Sequence, residues 1–317
     1  MPSPTPTAPR SLLLTAYRAA VRLDEPFRAA AVAPDPGRLP ALALAALRRL
    51  AGEPAAARLS APGRDLDRMD DASARRLLRA VLTVREPAPL PADTMSVLDA
   101  LLAGERQQRT TVDPSLLPTI AETDTGAAYA AADRTVLWRG DITTLAADAV
   151  VNAANHALLG CFKPLHACID NAIHTAAGPR LREDCHTIMS LQGGPEPTGS
   201  AKITRGYHLP ARYVVHTVGP VVEGPLRPAH AQLLAASYRA CLDLAAAAGT
   251  IRTLAFCAIS TGVFGYPKAP AARLALRTVA DWLADHPGRL DRVVLTAFTD
   301  DDHATYRQAL TEESPLP

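Results

Sequence analysis

A chain of 317 residues is longer than the roughly 250–300 residues at which a single hydrophobic core stops growing, and it suits two structural units better than one. Hydrophobic residues make up 48% and charged residues 21%, and a formal net charge of +1 gives no electrostatic case for nucleic acid or an acidic membrane as partner. The five cysteines are an odd number, and the start, MPSPTPTAPR, lacks the basic-then-apolar order of a secretion signal; reduced thiols in a cytoplasmic protein are expected rather than a disulfide framework.

Residues 1–10, rich in Pro, Thr and Ser, read as a disordered tail. From 11 to about 31, Leu12, Leu13, Ala16, Val21 and Phe27 recur at roughly helical spacing. Further helical stretches are expected near 42–50, 70–84 and 93–102, the last opening on an Asp-Thr pair. Pro and Gly clusters at 34–40, 61–63 and 86–91 separate them. Strand-like patterning is absent before residue 134, so 11–105 reads as helical and 106–130 as a loop or linker. The division is a tail at 1–10, a helical N-terminal region at 11–125 and a second domain at 126–317.

After residue 134 the texture changes. TVLWRG (135–140), AVVNAA (149–154), ARYVVHTV (211–218), TLAFCAI (253–259) and RVVLTAF (292–298) read as short buried strands. Helical stretches at about 166–177, 180–190, 228–248, 269–285 and 303–311 alternate with them, the pattern of an α/β/α sandwich with a mixed sheet. Ligands of such folds bind in the crevice at the C-terminal ends of the strands. No apolar run reaches the roughly 18 residues that a membrane span needs.

All nine histidines and all five cysteines lie beyond residue 150, which confines metal and nucleophile chemistry to the second half. Cys161, His166 and Cys168 follow one another as C-x4-H-x-C. Two thiolates and an imidazole are a known zinc set with a fourth position open, but three donors within eight residues converge only if the loop folds back, a turn that Pro164 would favour. The spacing is not a common finger spacing, and it serves equally for two small buried hydrophobes beside a surface histidine, or less readily for a redox thiol pair. STGVFGY (260–266) follows a strand directly, where its glycines would let backbone N–H groups approach a phosphate; strand-to-helix loops carry glycine for turns as often. Asn152 and Asn155 flank two alanines; their amides suit sugar hydroxyls, or Asx turns. Asp141 reads as a cap or a base-reading carboxylate, and Asp170, at a helix start with His174 one turn on, as a favourable helix-end charge. Cys241 and Cys257 sit in apolar surroundings and read as structural.

Six separate stretches, in order and spacing, resemble a macrodomain, the ADP-ribose-binding module. They are GDIT (140–143), VVNAAN (150–155), CIDNAIH (168–174), GPRLREDC (178–185), PTGSAKITRGYHLPARYVVHTVGP (197–220) and AISTGVFGYP (258–267). The likeness covers about residues 130–312. Where most macrodomains carry a run of glycines after the Asn pair, this chain has GCFKPLHAC (160–168). That replacement, together with the helical extension and its RRLLRAVLTVREPAPLP (75–91), resembles the zinc-containing macrodomains of microbial protein-ADP-ribose hydrolases.

The resemblance implies a three-layer α/β/α macrodomain behind an all-helical extension, with Zn2+ as cofactor on Cys161, His166 and Cys168. Asp141 and Ile142 would meet the adenine and Phe298 would stack on it. Ser260, Thr261, Gly262, Val263 and Phe264 would hold the diphosphate, largely through backbone amides. Asn152 would be a further ligand contact, and Asn155 and Asp170 would face the second ribose, with Asp170 as base or water-orienting group and Asn155 positioning the sugar. The implied activity is hydrolysis of mono-ADP-ribose from modified protein side chains, through an ester on Asp or Glu, releasing ADP-ribose. The alternatives are a reader that binds ADP-ribose without cleaving it and a hydrolase of free ADP-ribose esters.

Overall fold

Six short runs of aliphatic and β-branched residues pair into one sheet and hold every layer of the fold in register. The computed structural model describes residues 11–28, 34–59, 66–124 and 128–312. The tail expected at 1–10, the end of the helix expected over 11–31 and the break at 61–63 lie outside those residues. In chain order the extension contributes α1 (Leu14–Tyr17), α2 (Leu39–Leu50), α3 (Pro54–Leu59), α4 (Asp71–Val84), α5 (Ala92–Gln108) and α6 (Ile120–Thr123). There follow β1 (Thr135–Arg139), β2 (Ala149–Ala153), α7 (Ile169–Ala177), α8 (Pro179–Gln192), β3 (Ala201–Arg205), β4 (Tyr213–Thr217), α9 (Pro228–Ala248), β5 (Thr253–Phe256), α10 (Lys268–Asp285), β6 (Arg292–Ala297) and α11 (Asp300–Glu312).

The sheet order is β1-β6-β5-β2-β4-β3, parallel except that β3 runs antiparallel to β4. Every residue of β4 and the first four of β2 are buried, as expected of central strands covered on both faces. Helices α9, α10 and α11 cover one face through Leu234, Leu276 and Tyr306. Ile173 and Ala177 of α7 and Leu181 of α8 pack on the other with Val150 and Val214. This is the three-layer α/β/α macrodomain arrangement with a mixed sheet, behind a helical extension.

Helices α2 to α5 bury a core of their own around Leu47, Leu78 and Leu98, and α4 and α5 rest against α7. Asp70 caps α4 by accepting the Ser73 N–H at 2.9 Å. α5 runs on to Gln108, past the expected end at 102: the apolar spacing stops at Leu102, but Glu105 continues outward to pair with Arg75 of α4. The helix expected from residue 11 is a single turn, Leu14–Tyr17, followed by turns that swing Val21 and Leu23 into the sheet's own core. Arg22 there takes φ 50°, which ends helical geometry. The expected linker at 106–130 is pinned to the sandwich. Val112 bridges Leu145, and Arg292 donates to the carbonyls of Pro114 and Leu117 at 3.1 and 2.6 Å.

One strand, β3, was not expected, because Lys202 and Arg205 disguise its alternation. Lys202 is fully buried and its Nζ donates to both carboxylate oxygens of the equally buried Glu196, at 2.8 and 2.6 Å. Ser11 donates to the same carboxylate at 2.7 Å, and the Tyr17 hydroxyl accepts the Ile203 N–H at 3.0 Å. The N-terminal segment thereby covers an edge strand that would otherwise offer unpaired backbone groups. Burial pulls the Lys202 pKa down, against the carboxylate that raises it. Among the described residues no helix is long and apolar enough to cross a membrane.

Glu196→Gln leaves the Lys202 ammonium buried without its counter-charge. The expected loss of stability in a denaturant titration is about 3–5 kcal/mol, the usual result of breaking a buried pair on one side.

Candidate functional site

The loop between β2 and α7 brings the three sulfur and nitrogen donors together. Gly160 (φ 88°) opens it; a Cβ there would lie 3.2 Å from both Arg182 Nη2 and His174 Cγ. Leu165 adopts φ 58°, a left-handed conformation that turns the chain back just before His166. His166 N–H then donates to the Lys163 carbonyl at 3.3 Å, and Cys168 N–H to the His166 carbonyl at 3.0 Å. The helix expected from 166 therefore starts at Ile169, with Cys168 as its N-cap, its Sγ accepting the Asn171 N–H at 3.4 Å. Cys161 Sγ stands 3.4 Å from His166 Nδ1, and the three donor atoms all lie within 4.8 Å of one another.

Zinc at about 2.0–2.3 Å from tetrahedral donors separates them by roughly 3.3–3.8 Å. The Cys161–His166 distance falls in that interval, and the donor set is one zinc favours, so the residues fit the ion. Burial pushes the Cys168 thiol up to about 11, with the neighbouring Cys161 and Asp170 acting in the same direction. A coordinated cation reverses that preference, because thiols ligate as thiolates.

Asp170 lies in the first turn of α7 and is 5% exposed. Burial raises its pKa to about 6, against the opposing effects of a hydrogen bond from Asn152 and the charge of Arg182. Asn152 Nδ2 donates to Asp170 Oδ1 at 2.8 Å and stands 3.2 Å from His216 Nδ1. Asn152 and His216 are register partners on β2 and β4. With Nδ1 accepting from that amide, His216 carries its proton on Nε2 and donates it to Thr204 Oγ1 at 3.0 Å. Burial lowers the His216 pKa to about 3, so the ring is neutral. His174 Nε2 lies 3.5 Å from Asp170 Oδ1 without a hydrogen-bond partner; burial, then the charge of Arg182, holds it neutral as well.

Apart from Asn152, which lies within β2, the remaining expected residues follow the C-terminal ends of β1, β2, β5 and β6. Asn155 spans its own loop, accepting the Ala157 N–H at 2.9 Å and donating to the Gly160 carbonyl at 3.0 Å, the Asx-turn use of an asparagine. Asn152 is fully buried behind Asp170 rather than at the crevice surface. Asp141 caps the turn that begins with the buried Ile142, accepting from Thr143 N–H and Oγ1 at 2.9 and 2.7 Å. Its other oxygen accepts from Arg109 of the extension at 2.7 Å. Phe298 stands 74% exposed just past β6.

Ser260 takes φ 66° and its hydroxyl is buried without a partner. Gly219 lets that hydroxyl approach: a Cβ on Gly219 would sit 2.1 Å from it. Gly265 and Tyr266 donate their N–H groups back to Gly262 and Ser260, both at 3.0 Å. Among the described residues the N–H groups of Thr261, Gly262, Val263 and Phe264 meet no backbone acceptor, leaving a run of donors that suits an anion. Motif reading missed His216, Asn171, Arg182 and Arg109. Nothing in sequence spacing distinguishes a buried arginine from an exposed one.

Residues 151–275 match the macro domain family. The chain is 42% identical to a protein-ADP-ribose hydrolase of Treponema medium over 76% of its length and 89% of the relative's. It is also 42% identical to a protein-ADP-ribose hydrolase of Staphylococcus aureus strain MRSA252, covering 75% of this chain and 85% of the other. Among solved structures, the Trypanosoma brucei macrodomain in complex with ADP-ribose superposes with a TM-score of 0.57 at 34% identity, over 73% of this chain and 94% of that one. The Oceanobacillus iheyensis macrodomain with ADP superposes with a TM-score of 0.51 at 36% identity, over 57% and 92%.

Asn152→Leu keeps the volume near Asp170 but removes its donor. The expected outcome is a further rise in the Asp170 pKa, read by NMR titration of the carboxyl carbon. A loss of about 1–3 kcal/mol in denaturant stability should accompany it.

Proposed function

The chain belongs to the macrodomain and protein-ADP-ribose hydrolase family, and we propose that its reaction is the zinc-dependent removal of mono-ADP-ribose from modified protein side chains. The linkage is an ester to Asp or Glu, and the protein works in the cytoplasm. One observation carries the reading: three zinc-type donors converge within 4.8 Å at the entry to the helix whose first turn holds the buried Asp170. A module that only binds ADP-ribose has no evident use for that pairing of metal donors and a basic carboxylate.

In this reading Phe298 stacks on the adenine, the Ile142 backbone and Asp141 read its edge, and the free N–H groups of Thr261 to Phe264 hold the diphosphate with Ser260 beside them. Those contacts set the second ribose, steadied by Asn155, against Asp170. Cys161, His166 and Cys168 hold zinc, which when bound supplies Lewis acidity at that ribose. Asp170 is the proton acceptor: burial makes its carboxylate a stronger base than an exposed one, and the Asn152 amide fixes its orientation. The neutral His174 and His216 behind it add no positive charge that would oppose this role. Arg109 must share or yield the Asp141 oxygen when adenine arrives.

The test is release of ADP-ribose, followed by chromatography, from a protein carrying Asp/Glu-linked mono-ADP-ribose. Free acetylated ADP-ribose serves as a parallel substrate. Asp170→Ala is expected to lower turnover about 10²–10⁴-fold, the ordinary weight of a general base. Cys161→Ala and His166→Ala are expected to abolish turnover while calorimetry still detects ADP-ribose binding. Unchanged turnover in a metal-free Cys161→Ala protein would remove the metal's role. Cleavage of the free ester alone would move the substrate to a small metabolite.

A further inference from the structure

The role of the helical extension is the least explained part of the molecule, and its contacts with the metal loop are specific. Residues 160–168 form few hydrogen bonds of their own, and Leu165 there is held in a left-handed conformation. Their support comes from two buried side chains outside the loop. Asn171, 1% exposed, donates through Nδ2 to the carbonyls of Lys163 and His166, each at 3.1 Å. Its Oδ1 lies 3.5 Å from the hydroxyl of Thr83, one residue before the end of α4. The amide thus clamps the backbone of two loop residues, one of them a donor of the set, and backs onto the extension.

Arg182 is the second support. It is 7% exposed, yet among the described residues no carboxylate lies within ion-pair distance of it. Its Nη1 donates instead to the carbonyls of Leu82 and Arg85, at 2.8 and 2.6 Å. Carbonyls at that end of α4 have no partner within their helix, and the negative end of the helix dipole favours a cation there. The guanidinium carbon sits 4.7 Å from the centroid of the Phe162 ring, the residue after Cys161. One arginine therefore joins the C-terminal end of α4 to the start of the metal loop. A buried arginine without a counter-ion is a costly way to glue two units together. Here its position is determined on one side by carbonyls and on the other by the ring beside a donor cysteine.

From this juxtaposition we propose that the C-terminal end of α4 is the seat of the metal centre. Arg182, acting through Phe162, and Asn171, acting through the Lys163 and His166 carbonyls, are positioning residues that hold the three donors in place. The inference rests on the zinc reading above. It gives the extension a role, since without α4 Arg182 and Asn171 lose the Leu82, Arg85 and Thr83 groups on which they rest.

The experiment measures zinc release from the full chain to a colorimetric chelator, and the thiolate-to-cobalt absorption of the cobalt-substituted protein. Wild type is compared with Phe162→Ala, Phe162→Tyr, Asn171→Ala and Arg182→Lys. Phe162→Ala and Arg182→Lys are expected to speed release about 10–100-fold, the usual effect of losing an outer support of a metal ligand, and to shift the cobalt band. Phe162→Tyr, which keeps the aromatic face, should stay within about twofold of wild type. Release within twofold of wild type in Phe162→Ala, a half-buried position whose truncation leaves the Arg182 hydrogen bonds to Leu82 and Arg85 in place, would overturn the proposal even if Arg182→Lys or Asn171→Ala failed to fold. A wild-type protein that retains no zinc would instead defeat the zinc reading and this inference with it.

Discussion

Three metal-type donor side chains drawn from eight consecutive residues meet within 4.8 Å of one another, and much of the structure around the loop between β2 and α7 serves that convergence. The chain leaves β2 at Ala153, spans an Asx turn at Asn155, passes Gly160 and reverses at Leu165 in a conformation that most residues avoid. It re-enters regular structure through the thiol of Cys168, which caps α7. Such a path is stable only when neighbours over-determine it. Asn171 and Arg182 do so from behind, and the end of α4 stands behind them.

A second chain of contacts runs from strand to strand across the sheet. Asp170, Asn152, His216 and Thr204 link α7 to β2, β4 and β3 by side chains alone. Each member fixes the next: the amide orients the carboxylate and sets the histidine tautomer, and the tautomer directs a proton toward the threonine. The far end of the same sheet is secured by the Lys202–Glu196 pair and the Tyr17 hydroxyl. Two buried polar systems thus hold β3, a strand with only one neighbour, in register with the site.

The fold was legible where apolar texture and period agree. VVN and YVVHT announce central strands because both faces are buried, and the long helices α4, α9 and α10 carry clear periodicity. It was illegible where a charged residue points inward. Lys202 makes β3 look like a loop, and Arg182 looks like one of several arginines on the outside of a helix. The first turn at Leu14–Tyr17 failed as a long helix because its apolar residues serve the sheet's core, which spacing cannot reveal. At the site, residue types offered Cys161, His166 and Cys168 as metal-type donors alongside two blander readings, but their meeting point depends on Leu165 and Asn171, whose roles are purely three-dimensional. The two asparagines divide in a way sequence left open: Asn152 serves Asp170 and Asn155 serves its own loop.

The most direct test of the account is a crystal structure of the full chain with ADP-ribose, collected on both sides of the zinc absorption edge. The account predicts one anomalous peak between Cys161 Sγ, His166 Nδ1 and Cys168 Sγ, with the second ribose between that peak and Asp170. A ribose lying away from Asp170, or no metal peak among those three donors in protein purified without chelator, would contradict it.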